Sequence, residues 1–162
     1  MREFAYIHES EEALPPTLAG IPFLKMFDAR ELNYLLRECL IVECEVGDPI
    51  ITEGMTDSRI YLLLSGELEI LKGSEQLAKI DTPGSIFGEM AIMGDQLRTA
   101  TVRATGKVFC LAIDLKALHE RMPMSEHSHY YAQLYGFISK ILAERLHHTS
   151  QELAQLKEAN GV

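Results

Sequence analysis

The chain has 162 residues, of which 47% are hydrophobic, 24% charged and 7% aromatic, and it carries a formal net charge of -9. That length holds one domain with a sizeable core and a helical appendage, and the apolar share excludes a disordered chain. The acidic balance excludes binding to nucleic acid or an acidic membrane through the overall field, because such partners need clustered Lys and Arg. Any anion must be held by a local device.

Met1 to Ser10 contains no apolar stretch that could serve as a signal peptide. The longest apolar run, Val108 to Ile113, is far short of the roughly 20 residues a spanning helix needs. Cys39, Cys44 and Cys110 are odd in number and lack CxxC spacing, so neither a disulfide framework nor a zinc site is expected. They read as small buried hydrophobes in a reducing compartment, which points to the cytosol.

In chain order, residues 1 to 45 read as helical, interrupted at Pro15-Pro16 and Gly20. Asp28 with Glu31 resembles a capping box, and Leu32, Leu35 and Leu36 then give the helix one apolar face. From about 46 to 115 the texture changes to short apolar runs: Ile50-Ile51, Ile60 to Leu64, Leu68 to Leu71, Leu77 to Ile80 and Val108 to Ile113. Turn residues separate them at Gly47-Asp48, Glu53-Gly54, Ser65-Gly66, Gly73-Ser74 and Pro83-Gly84. Short strands punctuated in this way indicate a small antiparallel barrel or jelly roll. The last zone, about 125 to 158, reads as one long helix. Its seam, Tyr135, Ile138, Leu142, Leu146, Thr149, Leu153 and Leu156, recurs at spacings of three and four. The far end of such a helix lies roughly 30 Å or more from its start, beyond what a small barrel can cover, so the seam predicts a helix pair between two copies.

One stretch breaks the strand pattern, Gly84 to Val102. Gly88 lets the backbone approach a ligand closely. Residues 89 to 93 can form one helical turn whose free N–H groups point at an anion. Arg98 returns after a glycine turn and offers a planar fork of donors to a phosphate. Thr99 adds a hydroxyl, and Glu89 supplies an acceptor for a sugar hydroxyl. Phe87-Gly88-Glu89 alone would fit a surface Glu89–Arg98 ion pair on an ordinary turn. With Arg98 nine positions after Glu89 and strand signals on both sides, the residues describe a compact pocket for a sugar phosphate.

These residues resemble the phosphate-binding cassette of the cyclic nucleotide-binding domain family: Phe87-Gly88-Glu89-Met90-Ala91 through Arg98-Thr99-Ala100-Thr101-Val102. The upstream pattern Gly47, Glu53-Gly54 and Tyr61-Leu62-Leu63-Leu64-Ser65-Gly66 is similar too, as is Ile21-Pro22-Phe23 before the first long helix. The resemblance spans about residues 18 to 155. It implies a mainly β fold: an eight-stranded jelly-roll β-barrel over 21–125 with its cassette at 84–102, an N-terminal extension over 1–20 with helices flanking the barrel, and the C-terminal helix over 126–158. It also implies a ligand site at Gly88, Glu89, Met90, Ala91, Arg98, Thr99 and Ala100, with Arg98 on the cyclic phosphate and Glu89 on the ribose 2′-hydroxyl.

Ala143 to Ser150 resembles the dimerisation helix of the bacterial catabolite activators. That resemblance makes Thr149 and Ser150 candidate base contacts, the threonine within its own subunit and the serine from the partner. Thr99 is similar to sites that accept cGMP, whereas Thr149-Ser150 favours adenine, and two contacts against one select cAMP. The activators continue into a helix-turn-helix domain, but this chain stops at Val162, so no direct DNA binding is expected. The expectation is therefore a cytoplasmic, bacterial, non-enzymatic cAMP sensor that forms a homodimer and signals to an unknown downstream protein. A cGMP-binding module, a dimerisation scaffold whose ligand site has lapsed and the sensor half of a larger regulator remain as alternatives. His127-Ser128-His129 and His147-His148 have metal-like spacing, but neighbouring helix residues point in different directions and no metal is expected. No nucleophile–base pair or Walker loop is recognisable. Met55, Met90, Met93, Met122 and Met124 read as core filler.

Overall fold

A computed structural model describes residues 1–6, 16–90 and 97–161. They fall into two units, Met1–Pro123 and Met124–Val162. In the first, α1 (Pro16–Ala19) and a 3-10 turn (Leu24–Met26) precede α2 (Ala29–Arg37). The expected capping box is present: Asp28 Oδ1 accepts from the N–H groups of Arg30 and Glu31, both at 2.8 Å, while Glu31 Oε2 accepts from the Asp28 N–H at 3.0 Å. Three otherwise orphaned donors are thereby satisfied. Leu35 and Leu36 are fully buried behind it.

The strands are β1 (Arg2–Ala5), β2 (Cys39–Cys44), β3 (Pro49–Ile51), β4 (Arg59–Ser65), β5 (Leu68–Lys72), β6 (Glu75–Ile80), β7 (Ile86–Phe87), β8 (Thr101–Ala104) and β9 (Val108–Asp114). They form two antiparallel sheets, β1-β2-β9-β4-β7 and β3-β8-β5-β6. Their inner faces enclose a core that includes Val42, Cys44, Ile51, Tyr61, Leu63, Leu68, Phe87, Val102, Val108 and Cys110. On β4 and β9 the alternate residues Ile60, Leu62, Leu111 and Ile113 are buried as well, and α3 (Leu115–Arg121) lies against both strands. Strands covered on both faces read as unbroken apolar runs.

The helical reading of residues 1 to 45 is corrected at both ends. Cys39–Cys44 pairs with β9 along its whole length, Cys39 opposite Ile113 through Cys44 opposite Val108. Arg2–Ala5 pairs with β2 although all four residues are exposed. Among the described residues this makes nine strands instead of eight. Met122 is buried, but Met55, Met90 and Met124 are exposed, so they are not core filler, and Met93 lies outside the described residues. The three cysteines are buried free thiols. Gly66 shows why glycine stands at one corner: its φ is +97°, and a Cβ there would lie 2.5 Å from the Lys107 carbonyl oxygen.

In the second unit α4 (Ser128–Ala159) is a single helix of 32 residues. Tyr130, Tyr131, Leu134 and Ile138 are buried in its first turns. Further along, Leu146, Leu153 and Leu156 are more than half exposed, at 69%, 53% and 60%. No helix among the described residues is long and apolar enough to cross a membrane.

Candidate functional site

Local pairing fixes where the cassette begins. β7 is two residues long and pairs with β4, Tyr61 opposite Phe87. Their rings stack with centroids 5.3 Å apart and planes 14° from parallel. The next residue, Gly88, turns the chain with a φ of +73°. A side chain there would come within 2.9 Å of Ile51 Cδ1 and 3.0 Å of Arg98 Nη1. Glycine is required both for the backbone angle and for the room that the arginine occupies. Glu89 and Met90 then enter a 3-10 turn, and Ala91, with the rest of the expected helical turn through Met93, lies outside the described residues.

Arg98 is the centre of the site. Its side chain is 5% exposed, and its guanidinium is held by acceptors from three directions. Nη1 donates to the Gly88 carbonyl at 2.8 Å, and Nη2 donates to Asp57 Oδ2 at 3.0 Å and to the Arg59 carbonyl at 2.5 Å. Burying a guanidinium is costly unless its donors are met. Nε, also buried, meets no protein acceptor among the described residues. Asp57, which the sequence reading did not single out, organises this cluster. It accepts from the Arg59 N–H at 3.1 Å and the Tyr61 hydroxyl at 3.0 Å besides Arg98. Burial and the Asp57 carboxylate push the Tyr61 hydroxyl pKa up, so it stays a donor. Asp57 was hidden in the sequence because the partner that ties it to the cassette, Arg98, lies forty-one residues on.

The main chain of Arg98 is fixed too. Its N–H donates to the Met55 carbonyl at 2.8 Å, and its carbonyl accepts from the Gly54 N–H at 2.9 Å. Among the described residues only three polar or charged residues are buried, namely Glu43, Glu89 and Arg98. Two of the three are the pair expected from sequence. The structure thus brings Gly88 and Arg98 into direct contact, with the buried Glu89 next in the chain. Thr99 is exposed and donates its hydroxyl to Met90 Sδ at 3.7 Å, and Ala100 is half-buried beside it. Thr149 and Ser150 belong to the second unit, where both are exposed on α4. No group of three His, Cys, Asp or Glu that could hold a metal ion occurs among the described residues.

Two antiparallel sheets, a glycine-led turn and a buried arginine whose Nε–H meets no protein acceptor among the described residues mark this end of the barrel. A sequence model of the cyclic nucleotide-binding domain matches residues 41–123, and the chain belongs to that family. It is 30% identical over 104 residues to a cAMP-dependent protein kinase regulatory subunit of Blastocladiella emersonii, a match covering 62% of this chain and 26% of that one. It is 30% identical over 131 residues to the cGMP-dependent protein kinase 2 of Homo sapiens, covering 76% and 17%. The chain therefore spans about a quarter or less of these relatives. Among solved structures, a Geobacter metallireducens GS-15 protein whose name assigns it to cyclic nucleotide binding superposes with a TM-score of 0.69. That likeness covers 83% of this chain and 99% of the other at 24% identity, and it shows a shared fold.

Proposed function

We propose that the chain is a cytoplasmic, non-catalytic regulatory module of bacterial type that binds cAMP in preference to cGMP, pairs with a second copy through α4 and passes the signal to a separate protein. The buried Arg98 carries this reading. Of the five N–H groups a guanidinium offers, three are spent on Gly88, Asp57 and Arg59, and the buried Nε–H is left without a protein acceptor among the described residues. A cyclic phosphate supplies the missing acceptor. Glu89 takes the ribose 2′-hydroxyl, with Met90, Ala91, Thr99 and Ala100 completing the cassette. Thr149 and Ser150 contact the adenine.

The exposed leucines of α4 support the homodimer. Leu146, Leu153 and Leu156 repeat at seven and three positions with Thr149 between them, a stripe that a second α4 covers. Binding shifts the module's conformational equilibrium only by the difference in nucleotide affinity between its states. Calorimetric titration with cAMP and cGMP, run beside sedimentation analysis, tests the proposal. Saturable cAMP binding at one site per chain, weaker cGMP binding and a dimeric mass are expected. Failure to bind either nucleotide would leave a dimerisation scaffold, and tighter cGMP binding would reverse the base assignment.

A further inference from the structure

We propose that Glu53 and Lys72 form a positioning pair that sets the phosphate-binding end of the cassette, an inference that rests on the cyclic nucleotide reading of that site. β8 starts three residues after Arg98 and lies between β3 and β5. On one side the register sets Ile51 opposite Val102, and on the other it sets Leu71 opposite Thr101. Glu53, two residues past β3, and Lys72, the last residue of β5, therefore arrive at the start of β8 from opposite flanks.

They meet across it. Lys72 Nζ donates to Glu53 Oε1 at 2.5 Å and to the Thr99 carbonyl at 2.8 Å. The other Glu53 oxygen, Oε2, accepts from the Gly73 N–H at 3.1 Å, and the Glu53 N–H donates to Thr101 Oγ1 at 3.0 Å. Glu53 is also the residue before the Gly54–Met55 turn, whose N–H and carbonyl hold the main chain of Arg98. One ion pair thus ties together the turn that grips Arg98, the carbonyl of the residue after it and the hairpin following β5. Neither side chain needs to touch the ligand. Their effect passes through the backbone at 98 and 99, where a small displacement moves the guanidinium relative to a bound phosphate.

A merely structural fastening would alter melting alone, whereas a positioning pair alters affinity and is restored by a cation of similar reach. Calorimetric titration of wild type, Lys72→Met, Lys72→Arg and Glu53→Gln with cAMP and with cGMP separates the two. Lys72→Met and Glu53→Gln are expected to weaken both nucleotides by the same factor, about three- to tenfold, with Lys72→Arg within about twofold of wild type. Unchanged affinity in Lys72→Met, with wild type binding normally, overturns the positioning role. So does a loss confined to one nucleotide, which would place Lys72 on the base. If wild type binds neither nucleotide, the cassette reading itself fails and this inference falls with it.

Discussion

The two ends of the proposed nucleotide site are built differently. At the phosphate end, Arg98 is buried and held through both its side chain and its main chain by β4, the Gly54–Met55 turn and Gly88. At the base end, Thr149 and Ser150 stand exposed on α4, on the same stretch as the bare Leu146 and Leu153. Among the described residues, every partner that holds Arg98 comes from the first unit. The second presents hydroxyls and leucines to whatever meets them. On the proposed reading, phosphate capture is a property of one chain, whereas base choice is tied to the pairing of two. A ligand that uses both ends couples its affinity to dimerisation, and that coupling is reciprocal.

Four measurements test this contrast. Arg98→Ala removes a buried, hydrogen-bonded charge and is expected to weaken cAMP binding by about 2–5 kcal/mol, at least roughly thirtyfold. Arg98→Lys, which keeps the charge but not the fork, guards against a folding artefact; calorimetry on both reads the loss, and circular dichroism checks that the barrel persists. Replacing Leu146 and Leu153 by Asp puts like charges along the helix seam. The dimer should then dissociate by sedimentation, weakening by about 2 kcal/mol or more, while the barrel melts as before. A persistent dimer would move the interface off α4.

Thr149→Ala is expected to lower the preference for cAMP over cGMP by about 1 kcal/mol, roughly fivefold, in a competition assay. Equal losses for both nucleotides would remove it from the base site. The smallest effect concerns pH. The Lys72 ammonium, helped by the Gly73 N–H, holds the Glu53 carboxyl below the usual carboxylate range. A lowered folded-state pKa adds stability that is present above the unfolded value and lost as pH falls through the folded one. NMR titration should therefore find Glu53 protonating at lower pH than in an unfolded peptide, and a normal midpoint would mean that the pair is not formed in solution.

Much of this architecture was legible in the residue order. The runs at Ile50-Ile51, Ile60 to Leu64, Leu68 to Leu71, Leu77 to Ile80 and Val108 to Ile113 all became strands, because apolar segments between turn residues have few other ways to be buried. The capping box at Asp28 was readable for the same reason that it forms, since it is wholly local. β1 was hidden because its four residues are exposed and held through the backbone ladder, which leaves no hydropathy pattern. β2 was hidden because it follows α2 after a single residue and continues that helix's apolar texture.

The site divides along the same line. Gly88, Glu89 and Arg98 share one stretch of sequence and were found together. Glu53 and Asp57 act on that stretch from the segment between β3 and β4, and Lys72 from the end of β5. Only β4–β7 pairing and the β3-β8-β5 order bring them in, so to the sequence they were turn and surface charges.

The most direct measurement follows the Nε–H of Arg98 by NMR while cAMP is added to the 15N-labelled protein. This proton is buried and lacks a protein acceptor among the described residues. On saturation it should shift strongly downfield as a phosphate oxygen accepts it, with one equivalent bound per chain. Saturable cAMP binding that leaves the Arg98 Nε–H signal where it was would place the nucleotide elsewhere and contradict the site described above.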